Sequence, residues 1–199
     1  MGGLISGIIL ASGFSRRMGT DKLLLPVEGI PAVQRVLAAV KASAVDEVIL
    51  VYHGEKVREL GEAMGVKKIY NPSPELGQSQ SVRIGLRAAS RNSEGYMFFV
   101  GDQPFINKYI INRLIEAFTG TGALAAAPLY KGRRGNPVLF SSVLKDELLD
   151  LKGDTGGRVI LDRLKEGIVW VEIEDGQASL DMDTLEDYKK FRRWREKNE

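Results

Sequence analysis

Apolar positions along this chain follow two alternating rhythms. Short apolar runs at Leu4–Ala11, Glu47–Tyr52, Lys67–Tyr70 and residues 96–100 predict buried strands. Between and after them, apolar residues return at helical spacing over 32–43, 55–64, 79–90 and 108–118, which predicts four helices. Such alternation implies an α/β fold, a mostly parallel sheet with helices on both faces, Rossmann-like and three-layered αβα. The second half is less regular. An apolar run at 123–128, a basic Gly-rich turn at 131–135, an extended stretch at 138–140, two helices and a strand Ile168–Ile173 are expected to form an insert that covers a substrate. A last strand and turn around 180–183 leads to a charged helix over 186–196, whose Tyr188, Phe191 and Trp194 lie at helical spacing and read as core packing.

Length and composition narrow the classes. At 199 residues and 44% hydrophobic content the chain suits one soluble domain with a sizeable core. Lys+Arg 28 against Asp+Glu 26 is too balanced for a general nucleic-acid coat, so basic function must be local and no nucleic-acid partner is expected. With no cysteine and the single histidine His53, thiolate catalysis, zinc ribbons and His-based metal clusters are excluded, and any metal must sit on oxygen ligands. The first apolar run is too short to span a bilayer and carries no signal-peptide leader, which predicts a cytoplasmic protein without a membrane partner. His53 itself follows the second strand near the expected ligand edge, where it could be a contact, but a solvated strand terminus is the favoured expectation.

Chemistry is concentrated first in the segment that runs from Gly7 to Lys22. Gly13 and Gly19 permit positive backbone dihedrals, so the amides between them can turn onto an anion, while Arg16, Arg17 and Lys22 add charge. It is not a P-loop, because five residues rather than four separate the glycines and Thr20-Asp21 follow. The dinucleotide fingerprint fails as well: the second strand ends in Val51-Tyr52-His53, without the acidic residue that holds a ribose.

Carboxylates supply the complement. The strand at 96–100 runs into Gly101-Asp102-Gln103-Pro104, placing Asp102 at a carboxyl end, where open parallel sheets bind ligands. Asp181 and Asp183 occupy alternate positions and would point the same way from a strand, although Asp183 or Thr184 is equally suited to cap the helix that follows. Carboxylates beside a triphosphate repel it unless a cation intervenes, and Mg²⁺ prefers one or two carboxylates plus substrate phosphates.

Taken in order, Leu10-Ala11-x-Gly13-x-Ser15-x-Arg17-Met18-Gly19-x-x-Lys22, Gly101-Asp102-Gln103-Pro104 and Asp181-Met182-Asp183-Thr184-x-Glu186-Asp187 resemble the MobA-like nucleotidyltransferases, and among them the molybdenum cofactor cytidylyltransferases. Arg134-Gly135-Asn136-Pro137-Val138-Leu139-Phe140 and Gly153-Asp154-x-Gly156-Gly157-Arg158 extend the resemblance to nearly the whole chain. It implies a fold of the nucleotide-diphospho-sugar-transferase type, with a nucleotide-binding half at about 1–105 and an acceptor-binding half at about 106–199. Leu10, Ala11, Ser12, Gly13, Arg17 and Lys22 would hold the nucleotide, joined by Asn71, Ser81 and Asp102. Ser81 falls in Ser81-Val82-x-x-Gly85-Leu86, a segment shared with other cytidylyltransferases.

By the same resemblance Lys22, Arg17 and Asp102 are the catalytic set and Asp102 the ligand of Mg²⁺, with Asp183 a weaker second candidate and the choice between Asp181 and Asp183 open. The large anionic acceptor is expected to meet Arg134, Asn136 and Arg158 in the second half. Arg158 is alternatively suited to covering a helix end. The implied reaction transfers CMP from CTP to the phosphate of molybdopterin or the molybdenum cofactor, and a molybdoenzyme or its maturation factor is a further expected partner. Ser12 departs from the family pattern, where the cytidylyl branch commonly has Ala and the guanylyl branch Gly, and its side chain should disfavour a purine. Two alternatives stay open: the same fold acting with another NTP or another phosphorylated acceptor, and a non-catalytic cofactor-binding chaperone.

Overall fold

The computed structural model describes residues 3–13, 21–164 and 166–180. Arg16, Arg17, Gly19, Asp181, Asp183, the end of the expected strand and turn at 180–183 and the helix expected over 186–196 lie outside the described residues. Within them the elements are β1 (Leu4–Ala11), β2 (Pro26–Val27), β3 (Ile30–Pro31), α1 (Ala32–Lys41), β4 (Glu47–Tyr52), α2 (Glu55–Ala63), β5 (Lys67–Tyr70), α3 (Gln78–Ala88), β6 (Ser93–Val100), α4 (Lys108–Thr119), β7 (Ala125–Tyr130), β8 (Arg133–Arg134), β9 (Val138–Ser141), α5 (Lys145–Leu149), α6 (Arg158–Arg163) and β10 (Ile168–Ile173). All four strands and all four helices expected in the first half form, with ends that move by a few residues. The short hairpin of β2 and β3 had no hydrophobic period to announce it.

One sheet carries the strands in the order β10-β7-β9-β6-β1-β4-β5, with β8 attached to β7. Pairing is parallel between β1 and β4, β1 and β6, β4 and β5, and β7 and β10, whereas β9 runs antiparallel between β6 and β7. The second half is therefore not an insert laid over a substrate. Its strands continue the same sheet, because Val138, Leu139 and Phe140 are all buried and need a covered position on both faces.

Alternation along β1 divides the core. Ile5 and Ile9 join Val33, Leu37, Ile111 and Leu114 of α1 and α4 on one face, while Ile8 joins Val82, Leu86, Phe140, Leu148 and Ile160 on the other. The result is the expected αβα arrangement.

Because β1 connects through α1 to β4 on one side and the chain later crosses through α3 to β6 on the other, the strand order reverses at β1. Register keeps the strand ends level there, with Ala11 opposite Tyr52, Leu10 opposite Val100, and Tyr52 opposite Tyr70. Ser12, His53, Asn71 and Gly101 thus leave the sheet along one carboxyl edge, at the reversal where open α/β sheets form a crevice.

The amino edge is closed by a carboxylate. Glu47 accepts from Ser6 Oγ at 2.8 Å, from the Ser90 amide at 2.9 Å and from Lys67 Nζ at 3.3 Å. Burial opposes its ionisation, but these donors outweigh burial and hold the carboxyl below its ordinary value. Stability gained this way is complete above about 4.5, the ordinary value, and is lost as pH falls through the lowered folded-state value. Glu47→Gln should cost about 1–2 kcal/mol at neutral pH by urea unfolding, and the gap from the parent should close as the parent carboxyl protonates in acid.

Candidate functional site

Two charged groups meet at the reversal. After β6, Gly101 packs so tightly that an added Cβ would lie 3.0 Å from Leu23 and 3.3 Å from Ala11, and its amide donates to Leu10 O at 3.1 Å. Leu23 is buried in the one-turn 3-10 helix Lys22–Leu24, whose start is capped by Asp21 Oδ1 accepting from the Leu23 amide at 3.1 Å. Anchored by Leu23, Lys22 reaches across the ends of β1 and β6 and its Nζ donates to Asp102 Oδ2 at 2.5 Å. Both side chains are largely shielded, 21% and 15% exposed, so the pair is stronger than a surface ion pair.

Beside this pair lies a buried polar triangle. Ser12, Asn71 and Ser81 are 3%, 0% and 6% exposed. Asn71 Nδ2 donates to Ser12 Oγ at 3.0 Å and to Ser81 Oγ at 3.2 Å, and the two hydroxyls lie 2.6 Å apart. The amide orientation is fixed, because Asn71 Oδ1 accepts from the Ser73 amide at 3.0 Å and so turns the NH₂ group toward the serines. Proton counting then has a consequence. Two amide hydrogens and two hydroxyl hydrogens serve three contacts, leaving one hydroxyl hydrogen for an acceptor outside the triangle. Such an acceptor is what a ring carbonyl or ring nitrogen of a nucleobase offers.

The helix carrying Ser81 is held down by glycine. A Cβ on Gly85 would stand 2.3 Å from Ile8 Cγ2, so only glycine lets α3 lie this close to β1. Val82 and Leu86 anchor the same face in the core. One turn before Gly85, Ser81 consequently descends onto Ser12. The start of α3 is gripped from the second half of the chain: Gly153 O accepts from the Ser79 amide at 3.2 Å, and Asp154 Oδ1 from the Gln78 amide at 3.3 Å. Gly77, with φ 87°, makes this possible, since its Cβ would sit 2.5 Å from Gly153 backbone atoms.

The expected acceptor contacts fall in two places. Asn136 and Arg158 line a narrow cleft with Gln78, Phe98 and Phe140, between α3, α6 and the end of β6. Arg134 lies elsewhere, its guanidinium 4.8 Å over the Trp170 ring and paired with Asp162 at 2.7 Å. Arg158 opens α6, so it does not cover the carboxyl terminus of its own helix, the end at which the helix dipole favours a cation. The cleft wall is fixed from behind by Tyr130, whose hydroxyl donates to Asn136 O at 2.7 Å and whose ionisation is pushed up by burial and then by Asp175.

Of the residues expected to act, the fold brings together Leu10, Ala11, Ser12, Gly13, Lys22, Asn71, Ser81 and Asp102 along one edge. Arg17 and Asp183 are outside the described residues. His53 is not the solvated terminus expected: it is half-buried, Nδ1 lies 3.0 Å from Asn71 O, and its ring stacks on Tyr70 at 5.5 Å. Sequence reading also missed Arg35, which donates through Nε to Pro104 O at 3.2 Å and steadies the turn after Asp102. Nothing in the spacing of α1 singles it out from a solvent-facing arginine.

A carboxylate paired with a lysine, a hydroxyl donor beside it and a cleft on the far side suit a ligand with a base, phosphates and a second reactant. The class so defined is an α/β nucleotidyltransferase. Residues 7–168 match the MobA-like NTP transferase domain, and the chain belongs to that family. It is 32% identical to the purine catabolism protein PucB of Bacillus subtilis, over 94% of this chain and 95% of that one. It is also 36% identical to the molybdenum cofactor guanylyltransferase of Rhodobacter capsulatus, over 57% of this chain and 58% of the relative. The fold is the nucleotide-diphospho-sugar-transferase type. A structural neighbour, Rv0371c of Mycobacterium tuberculosis in complex with manganese, aligns with a TM-score of 0.80 and 25% identity, over 94% of this chain and 97% of that one. Among the described residues no helix is long and apolar enough to cross a membrane.

The grip on α3 can be measured against a control. Gly77→Ala should lower stability by about 2–3 kcal/mol in urea unfolding, combining a strained dihedral with a backbone clash. Gly65→Ala, at φ 65° with open space around the added methyl, should cost only about 1 kcal/mol. The excess at Gly77 reports the contact with Gly153.

Proposed function

We propose that this protein transfers CMP from CTP to the phosphate of molybdopterin or the molybdenum cofactor, with Mg²⁺, releasing pyrophosphate. The observation that carries the reading is the Lys22–Asp102 pair at 2.5 Å beside a buried triangle with one hydroxyl hydrogen to give. A single carboxylate fits the metal: among the described residues no group of three or more metal-ligating side chains gathers, and Mg²⁺ commonly takes one or two carboxylates plus substrate phosphates. Asp102 would hold the ion, with Asp183 as the second proposed ligand. Bound there, Mg²⁺ supplies charge neutralisation at the phosphoryl oxygens. The manganese complex of the Mycobacterium neighbour supports a divalent ion in proteins of this shape.

The chain's own residues then have separate tasks. Leu10, Ala11, Ser12 and Gly13 line the base and ribose, and the surplus hydroxyl hydrogen of the triangle meets an acceptor on the base. Lys22 turns from Asp102 to the triphosphate and stabilises charge that builds on it, while Arg17 does the same for the departing pyrophosphate. Asn136 and Arg158, in the cleft, orient the acceptor, and Arg134 contacts its outer part. No residue has to remove a proton, since a phosphate monoester with a second pKa of about 6 already attacks as a dianion. This agrees with a site that has no cysteine and one histidine.

Base choice rests on Ser12. Its buried hydroxymethyl group takes up room at the bottom of the base site, which favours a pyrimidine. A second reading, GTP as donor, is favoured by the name of the Rhodobacter relative, a guanylyltransferase. The acceptor draws support from the same relative, whose name specifies the molybdenum cofactor.

Pyrophosphate release measured with Mg²⁺ and each NTP, with and without molybdopterin, should require both CTP and the pterin. Release with GTP alone among the nucleotides would transfer the assignment to the second reading. Lys22→Ala and Asp102→Ala should each lower kcat by about 100- to 1,000-fold with the thermal midpoint retained. Undiminished turnover by either variant would reject its role.

A further inference from the structure

The base site has a support that lies behind it. β5 ends at Tyr70, the last residue in register with β4, and Pro72 follows. Asn71 therefore leaves the sheet at the position from which its side chain must serve Ser12 and Ser81 together. Its amide is held by Tyr52 O at 2.7 Å. Its carbonyl is held by the next residue of the neighbouring strand, His53, through Nδ1 at 3.0 Å. A carbonyl oxygen only accepts, so Nδ1 carries a hydrogen whether the ring is neutral or charged. The ring is kept in this orientation by stacking on Tyr70, with the planes inclined by 17°.

We infer that His53 is a positioning residue for nucleotide binding, acting through Asn71 rather than by touching the nucleotide. The triangle tolerates little displacement. Its two amide contacts are already 3.0 and 3.2 Å, and moving Asn71 away from either serine leaves a buried amide hydrogen without its acceptor and loosens the hydroxyl pair that faces the base. His53 fixes the main chain at residue 71 just where ladder hydrogen bonds run out. The inference rests on the reading of Ser12, Asn71 and Ser81 as the base site.

Two amide replacements separate this role from simple filling of space. Asparagine at 53 places an N–H where Nδ1 lies, whereas glutamine places it near the position of Nε2. With Mg²⁺, saturating molybdopterin and varied CTP in the pyrophosphate-release assay, His53→Asn should keep KM for CTP within about twofold of the parent. His53→Gln should raise it about three- to tenfold, the range of one lost hydrogen bond, with kcat within about twofold. Equal behaviour of the two variants, whether both impaired or both unimpaired, overturns the proposal. Ser81→Ala is measured alongside, and it should also weaken CTP binding. If Ser81→Ala is impaired and His53→Gln is not, the positioning role of His53 fails alone. Should Ser81→Ala bind CTP like the parent, the base-site reading fails and this inference with it.

Discussion

Contact between Gly85 of α3 and Ile8 of β1 sets the height of a whole layer. Were α3 to ride one methyl group higher, Ser81 would leave hydrogen-bond reach of Ser12, and Asn71 would lose one of the two acceptors for its amide. A buried NH₂ group without its acceptors costs more than the same group in water, so the base site and the packing of this helix stand or fall together. Val82 and Leu86 provide the apolar burial that presses the helix down, while Gly85 removes the obstacle. The motif Ser81-Val82-x-x-Gly85-Leu86 is thus one mechanical unit: two residues that pull, one that yields, and one that is delivered.

The two ends of the sheet use polar groups in opposite ways. At the amino edge the Glu47 carboxylate is met by a hydroxyl, a backbone amide and an ammonium group, and this arrangement serves cohesion. At the carboxyl edge the groups are held in place but retain capacity. Lys22 and Asp102 satisfy one another while each can exchange its partner for a phosphate or a cation, and the serine pair keeps one hydrogen in hand. A site of this kind is preorganised without being saturated, which favours ligands that supply the missing complement.

Much of this was legible from the order of residues, for identifiable reasons. Strands β1, β4 and β6 are covered on both faces, so their apolar runs are nearly continuous, and α1 and α4 are amphipathic enough to declare their period. Asp102 was legible because a polar residue ending a buried strand has few purposes. The antiparallel β9 was not placed, since three apolar residues give no direction of travel, and the second half therefore looked like a covering insert. Arg35 escaped notice, and His53 was noticed but misjudged, because their partners are backbone carbonyls, which leave no trace in side-chain identity. Arg134 was readable as basic but not as a partner of Asp162 and Trp170, residues distant in sequence.

The meeting of Gly77 with Gly153 is made by main-chain atoms, with the Asp154 carboxylate beside it. The side chains of Lys152 and Thr155 take no part in it, so these two positions can change with the shape of the second reactant while the nucleotide end of α3 keeps its footing. A fold built on such a joint can diversify what it accepts without relearning how to hold its donor.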